Sequence, residues 1–390
     1  MSPPPFDHGS PPALVDDAMR EIFLRIPPDD PASLARASAV CTAWRGIISD
    51  ADFGREYRAF HGAPPVLGFL YSYSYFWPSQ FISTTASFRS PACHDRHNWY
   101  ALDSRHGLVL FQTHRGGEEI GDFAVCDLVT HDQWSVSAHA GPEWSDINNY
   151  WWKATVLCGR VGQCDHRDCS EGAFLLALVG AKDTEVFASV YSSEAGEWSA
   201  TIFTEMRISH MLMNHSEQWH SALVGNKVYL PYDNTDLVVE YDVGAQELAM
   251  IKVPLVWTAL VGEKDGMLLY ASVQESELCL WSVEPGPNGA ARRRVIDLDP
   301  LLPSFALSSF VEVVGFAEGA GAIFLRTDFG LFTVELSSSR SNKVHEDIFD
   351  DRIMLYESFY TGGHGERGRR ALVGATRRWA GLLWLYGENL

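Results

Sequence analysis

Residues 13–45 contain Ala13-Leu14-Val15-Asp16-Asp17-Ala18-Met19-Arg20-Glu21-Ile22-Phe23-Leu24-Arg25-Ile26-Pro27 and then Ser33-Leu34-Ala35-Arg36-Ala37-Ser38-Ala39-Val40-Cys41-Thr42-Ala43-Trp44-Arg45, with Phe53 and His61 beyond. The spacing predicts three short helices. Asp16 and Asp17 suit the positive end of a first helix dipole, and Met19, Ile22, Phe23 and Ile26 fall on one apolar stripe at i, i+3, i+4 and i+7. Pro27-Pro28 removes the next backbone donors and stops that helix. Asp30-Pro31 is an N-cap with proline at the first helical position, opening a second helix that carries Leu34, Ala37, Cys41, Trp44 and Ile48. Asp50 and Asp52 separate it from a third helix with Phe53, Tyr57 and Phe60 in line. A bundle of about 45 residues cannot bury such stripes fully by itself, so a partner surface is expected against it.

The segments Glu21-Ile22-Phe23-Leu24-Arg25-Ile26-Pro27 and Val40-Cys41-Thr42-Ala43-Trp44-Arg45 stand where the F-box signature has them. The stretch resembles an F-box, the module by which substrate receptors of cullin–RING ubiquitin ligases dock onto a Skp-type adaptor. The resemblance implies that Leu14, Ile22, Phe23, Ile26, Pro27, Leu34, Val40, Trp44 and Arg45 contact or orient the adaptor. One departure is visible: the family opens with Leu-Pro, whereas this chain has Leu14-Val15 and so lacks the rigid turn before helix one.

Beyond Pro64 the hydrophobic period changes from helical to two. Alternating runs at 108–113, Phe174–Val179, Lys227–Pro231, Leu237–Tyr241, Met267–Val273, Leu278–Val283, Ala322–Arg326 and Leu331–Leu336 are separated by Gly, Asn, Asp and Pro clusters. An imperfect unit recurs at 221–243, 260–283 and 314–336. Its period of roughly 40 to 50 residues is the length of one four-stranded propeller blade, which predicts about six to eight blades and makes a pair of β-sandwiches the weaker architecture. The stretches 190–199 and 356–360 resemble those of kelch-like and F-box-associated propellers behind plant F-boxes, especially in grasses. The expected class is therefore α+β multidomain: a flexible segment at 1–11, a three-helix F-box at 12–60 and an all-β propeller at 61–390. Ring closure is expected from Trp379–Tyr386 pairing with Val66–Tyr71.

Composition limits the function. The 390 residues include 30 basic and 50 acidic side chains, a net charge of −20 that disfavours nucleic acid and anionic membranes as partners. Hydrophobic content of 46% suits a globular chain. No secretory signal or membrane-spanning run is read from the sequence, and seven scattered cysteines do not suggest a disulfide framework. The expected compartment is cytoplasmic, nuclear or both.

Chemistry is sparse. Cys158, Cys164, His166 and Cys169 carry the right atoms for zinc at the wrong spacing, so an exposed loop is the favoured reading over a metal site. Ser192 to Trp198 reads as a hairpin turn. The aromatic runs 71–77 and 150–152 read chiefly as blade packing, with a recognition patch as the alternative. Arg292–Arg294 and Arg367–Arg370 read as solvated loops. No phosphate loop or nucleophile elbow occurs, and no cofactor is expected. The sequence thus predicts a non-catalytic receptor subunit that binds a Skp-type adaptor, through it a cullin, and an unknown target. The alternatives are an F-box scaffold without ligase output and a propeller-fold hydrolase.

Overall fold

The computed structural model describes residues 16–72, 78–85, 88, 99–113, 121–139, 141, 144, 151–160, 173–182, 184–205, 220–232, 236–253, 258–286, 289–308, 310–346 and 352–359. They form two compact units, a helical one ending at His61 and a β-rich one spanning Gly62–Phe359.

The helical unit has four helices rather than three. Helix α1 (Asp16–Leu24) buries Met19 and Phe23 and ends before Pro27, its last turn tightened by i→i+3 bonds from Arg25 and Ile26. Helix α2 (Pro31–Val40) starts as expected: the Asp30 carboxylate accepts the Ser33 N–H at 3.3 Å and Pro31 occupies the first position. The helix expected to continue to Ile48 is broken at Cys41, which is extended (φ −157°, ψ 166°), and the chain restarts as α3 (Thr42–Ile48). Leu34 of α2 and Ile48 of α3 are both buried, so the apolar spacing runs across the break and periodicity alone does not reveal it; Cys41 itself, expected on the stripe, is exposed. Helix α4 (Ala51–His61) buries Phe53 and Tyr57.

The β-rich unit opens with β1 (Val66–Ser72) and β2 (Gln80–Ser83). A first complete antiparallel sheet follows, β3 (Trp99–Arg105), β4 (Leu108–Thr113), β5 (Phe123–Asp127) and β6 (Gln133–Val136). The second holds β7 (Trp151–Cys158), β8 (Phe174–Lys182), β9 (Glu185–Ser192), β10 (Glu197–Trp198) and β11 (Ile202–Glu205). The third is β12 (Ala222–Val224), β13 (Lys227–Pro231), β14 (Leu237–Asp242) and β15 (Glu247–Lys252), and the fourth β16 (Ala259–Lys264), β17 (Met267–Gln274), β18 (Glu277–Val283) and β19 (Ala291–Asp297). A one-turn helix α5 (Ser304–Leu307) leads to the fifth, β20 (Val311–Ala317), β21 (Ala322–Thr327), β22 (Gly330–Glu335) and β23 (Ser341–His345). Strand β24 (Arg352–Glu357) returns to pair with β1, giving the sixth sheet the order β2-β1-β24.

Six apolar clusters, one between each pair of neighbouring sheets, close these blades into a ring. Strand β1 shows how. Phe69 and Tyr71 join Val314 and Phe324 of the fifth blade, whereas Leu67 and Leu70 join Val109 and Phe111 of the first. The circular order of these clusters is that of a six-bladed propeller and excludes a pair of sandwiches.

Closure differs from the sequence expectation. Strand β1 has two hydrogen-bonding edges, and β2 and Arg352–Glu357 take them; Trp379–Tyr386, the partner expected from the sequence, lies outside the described residues. Tyr356 fastens the seam. Its fully buried hydroxyl donates to Gly107 O at 3.0 Å and accepts the Leu128 N–H at 3.1 Å, both in the first blade. Replacing Tyr356 with Phe is expected to cost about 1–3 kcal/mol, because Gly107 O and Leu128 N lose their buried partner. Thermal melting checks this; an unchanged midpoint would show that the seam does not depend on the hydroxyl.

Candidate functional site

In the helical unit, Phe23 and Trp44 meet edge to face with centroids 5.3 Å apart, while Phe23, Leu34, Ile48, Phe53 and Tyr57 are buried. The end of α1 is held by α4: the Tyr57 hydroxyl donates to Ile26 O at 2.7 Å and the His61 ring lies 2.9 Å from Leu24 O. Burial pushes the Tyr57 phenol up, so it remains a donor throughout the working pH range. Arg20 bonds Glu56 at 2.8 Å and Asp50 at 3.2 Å, tying α1 to α4. The Asp52 N–H and then Arg20 hold the Asp50 carboxyl below its ordinary range, and Arg20 does the same for Glu56.

This packing separates the nine residues singled out from the sequence. Phe23 and Leu34 belong to the core and orient the helices. Ile26 and Trp44 are half-buried, whereas Ile22, Pro27, Val40 and Arg45 are exposed. Leu14 lies outside the described residues. Ile22 is 48% exposed, Val40 63% and Phe60 56%, large fractions for apolar side chains in so small a unit, so one helical stripe from each of α1, α2 and α4 is left partly uncovered. Arg45 bridges the break after α2 through Ser38 O at 3.3 Å.

The propeller's inner strands bring together polar residues that the sequence reading did not single out. Asp103 accepts the Val156 N–H at 3.0 Å and the Thr155 hydroxyl, while Arg105 donates to Ser221 O at 2.7 Å. His220 Nε2 lies 2.9 Å from Val314 O and therefore donates to it; burial lowers the imidazole's pKa and keeps the ring neutral. Glu318 accepts the Glu263 N–H, and Glu357 accepts those of Gly319 and Ala320, at 3.0–3.3 Å. A carboxylate at the end of one inner strand thus takes a backbone N–H from the preceding blade, and the same device is used twice. Gly262 makes room for it, since a Cβ there would lie 2.8 Å from Glu318 Oε1. Fifty acidic residues hid these groups in the sequence; their matching position at the end of an inner strand of the repeat was the signal available.

Desolvation, then the neighbouring Glu318, raises the Glu357 carboxyl to about 8. The folded chain therefore holds a proton that the unfolded chain releases between its ordinary 4.5 and about 8. This contribution to stability is fully present below that window and is lost as pH rises through it. Glu357→Gln should show a smaller fall in melting temperature from pH 5 to pH 9 than the wild type does; parallel profiles would contradict the assignment.

The hairpin reading of Ser192–Trp198 holds: Gly196 N–H donates to Ser192 O at 2.7 Å, with Gly196 at φ +74°. Cys164, His166 and Cys169 lie outside the described residues, whereas Cys158 is buried at the end of β7. Among the described residues no group of three or more His, Cys, Asp or Glu is placed to hold a metal. Of the aromatic runs, 73–77 and Tyr150 fall outside the described residues. Trp151 and Trp152 pack in or against inter-blade clusters, while Arg293 stacks 5.8 Å from the Trp281 ring centre. Among the described residues no helix is long and apolar enough to cross a membrane.

Residues 12–56 match the F-box domain family. The chain thus consists of a helical F-box region followed by a six-bladed all-β propeller. No curated protein matches it. Among solved structures it is similar to an extracellular domain from B. thetaiotaomicron at 14% identity and TM-score 0.31, covering 64% of this chain and 28% of that one. A chain of the mitotic checkpoint complex gives 11% and 0.36, covering 70% and 87%, and a prolyl endopeptidase 10% and 0.37, covering 87% and 53%. The chain spans well under two thirds of the first and third, and likenesses of this size carry no argument about function.

Proposed function

We propose that this chain is the substrate-recognition subunit of an SCF-type ubiquitin ligase. The F-box match at residues 12–56, on a helical unit whose Ile22 and Val40 stand exposed, carries the reading. On it, Ile22, Pro27, Val40, Trp44 and Arg45 meet a Skp-type adaptor and through it a cullin, Phe23, Ile26 and Leu34 hold the helices in register, and Leu14 adds to the contact. The propeller binds the target. The chain carries out no chemistry; it holds the target beside the ubiquitin thioester and raises its effective concentration there. The propeller is of the kelch-like, F-box-associated kind found in plants, and the compartment is cytoplasmic or nuclear.

Affinity purification of the tagged chain followed by mass spectrometry tests this. Adaptor and cullin peptides are expected together, both lost from Ile22→Glu/Val40→Glu. Adaptor without cullin would favour a scaffold without ligase output, and neither would contradict the proposal.

A further inference from the structure

The propeller leaves an aromatic patch uncovered where the fourth and fifth blades meet. Phe305 is 50% exposed, Phe310 64% and Phe329 42%, and the rings of Phe305 and Phe329 lie 5.1 Å apart, edge to face. Three segments place them. Phe305 rides on α5 in the connection between the blades; Phe310 immediately precedes Val311, which pairs with Thr327; Phe329 sits two residues beyond Thr327 in the next turn. The β17–β18 turn adds Glu275, which with Asp299, Leu307 and Phe310 lines a cleft of about 610 Å³.

These positions do not serve the fold. The cluster between the fourth and fifth blades is completed by Leu298, Leu302 and Ala306, all buried, and none of the three phenylalanines belongs to it. Exposed aromatic rings carry a hydration cost that a partner would relieve, and aromatic anchors dominate binding surfaces. Charge selects the partner. Glu275, Asp299 and Asp328 are exposed around the patch, and among the described residues none forms an ion pair. A net charge of −20 on the whole chain adds a field of the same sign.

We infer that Phe305, Phe310 and Phe329, rimmed by Glu275, Asp299 and Asp328, form a docking surface for a protein segment that carries apolar anchors flanked by Lys or Arg. The partner's apolar side chains cover the three rings and its cations lie over the carboxylates. A second copy of this chain fits poorly, because it would bring the same carboxylates against the rim. That the segment belongs to a ubiquitylation target rests on the receptor reading above; the surface itself does not.

The test is selection of a random twelve-residue peptide library, displayed on phage, against the full-length chain. Enriched peptides are expected to combine two or more large apolar residues with net positive charge. Their affinity should fall about tenfold or more for Phe305→Ser/Phe329→Ser and again for Glu275→Lys/Asp299→Lys, the latter pair leaving the aromatic patch intact. No enrichment, enrichment of acidic peptides, or binding that survives both variants would overturn the inference. So would a wild-type dimer in light scattering that Phe305→Ser/Phe329→Ser dissociates, since the patch would then belong to a second copy. Adaptor binding is measured alongside: its absence from the wild-type chain alone would count against the receptor reading, absence of peptide enrichment on the wild-type chain alone against this surface, and both patch variants should bind the adaptor as the wild type does.

Discussion

A chain lacking residues 352–359 is expected to be insoluble. Those residues contain β24, the inner strand of the sixth blade, and their loss exposes one edge of β1 along its length. Met354 and Tyr356 leave the cluster shared with the first blade, and Ile353 leaves the one shared with the fifth, so two of the six inter-blade cores open together. Exposed edge and exposed apolar surface in one place favour association between chains over any monomeric alternative. A chain ending instead at residue 359 keeps every described closing contact and should remain monomeric. Size-exclusion chromatography of the two proteins decides it. A monodisperse protein without 352–359 would show that the ring does not depend on this closure.

The second large effect is expected at adjacent residues with opposite roles. Phe23→Ala should cost the helical unit about 3–5 kcal/mol, the usual range for deleting a large buried aromatic. Phe23 is 2% exposed and packs against Trp44, and a unit this small has little stability to lose. Hydrogen exchange should show α1 to α4 unprotected while the propeller strands remain protected. Trp44→Ala should cost less stability, because its ring is only half-buried. Ile22→Glu should leave the exchange pattern intact, since Ile22 is already half in water, yet abolish adaptor binding. Global loss of protection in Ile22→Glu, or full protection in Phe23→Ala, would reverse the assignment of core and surface.

The residues differ in how readily their sequence betrays them. Strands such as Lys227–Pro231 were legible because a short apolar run bounded by Gly, Asn or Asp turns reads as a strand buried on both faces. The Asp30-Pro31 start of α2 was legible because capping is a local interaction. The break at Cys41 was not: Leu34 before it and Ile48 after it are both buried, so the apolar spacing continues across it, although Cys41 itself turns out to be exposed. The partner of β1 was missed because Arg352–Glu357 offers only one short apolar run, Ile353 to Tyr356, while Trp379–Tyr386 offers a longer one, and long-range pairing leaves no local trace. The docking head was legible as a family pattern and as an excess of apolar residues over what so small a bundle can bury. Which of those residues are covered depends on helix packing, and so Phe23 and Ile22, neighbours in one motif, separate only in the folded unit.

The most direct test of the receptor account is a titration of purified Skp-type adaptor into three proteins: the full chain, the fragment 62–390, and the full chain carrying Ile22→Glu/Val40→Glu. The account predicts a one-to-one complex with the full chain alone. An adaptor that binds the 62–390 fragment, or that fails to bind the intact chain, would contradict it.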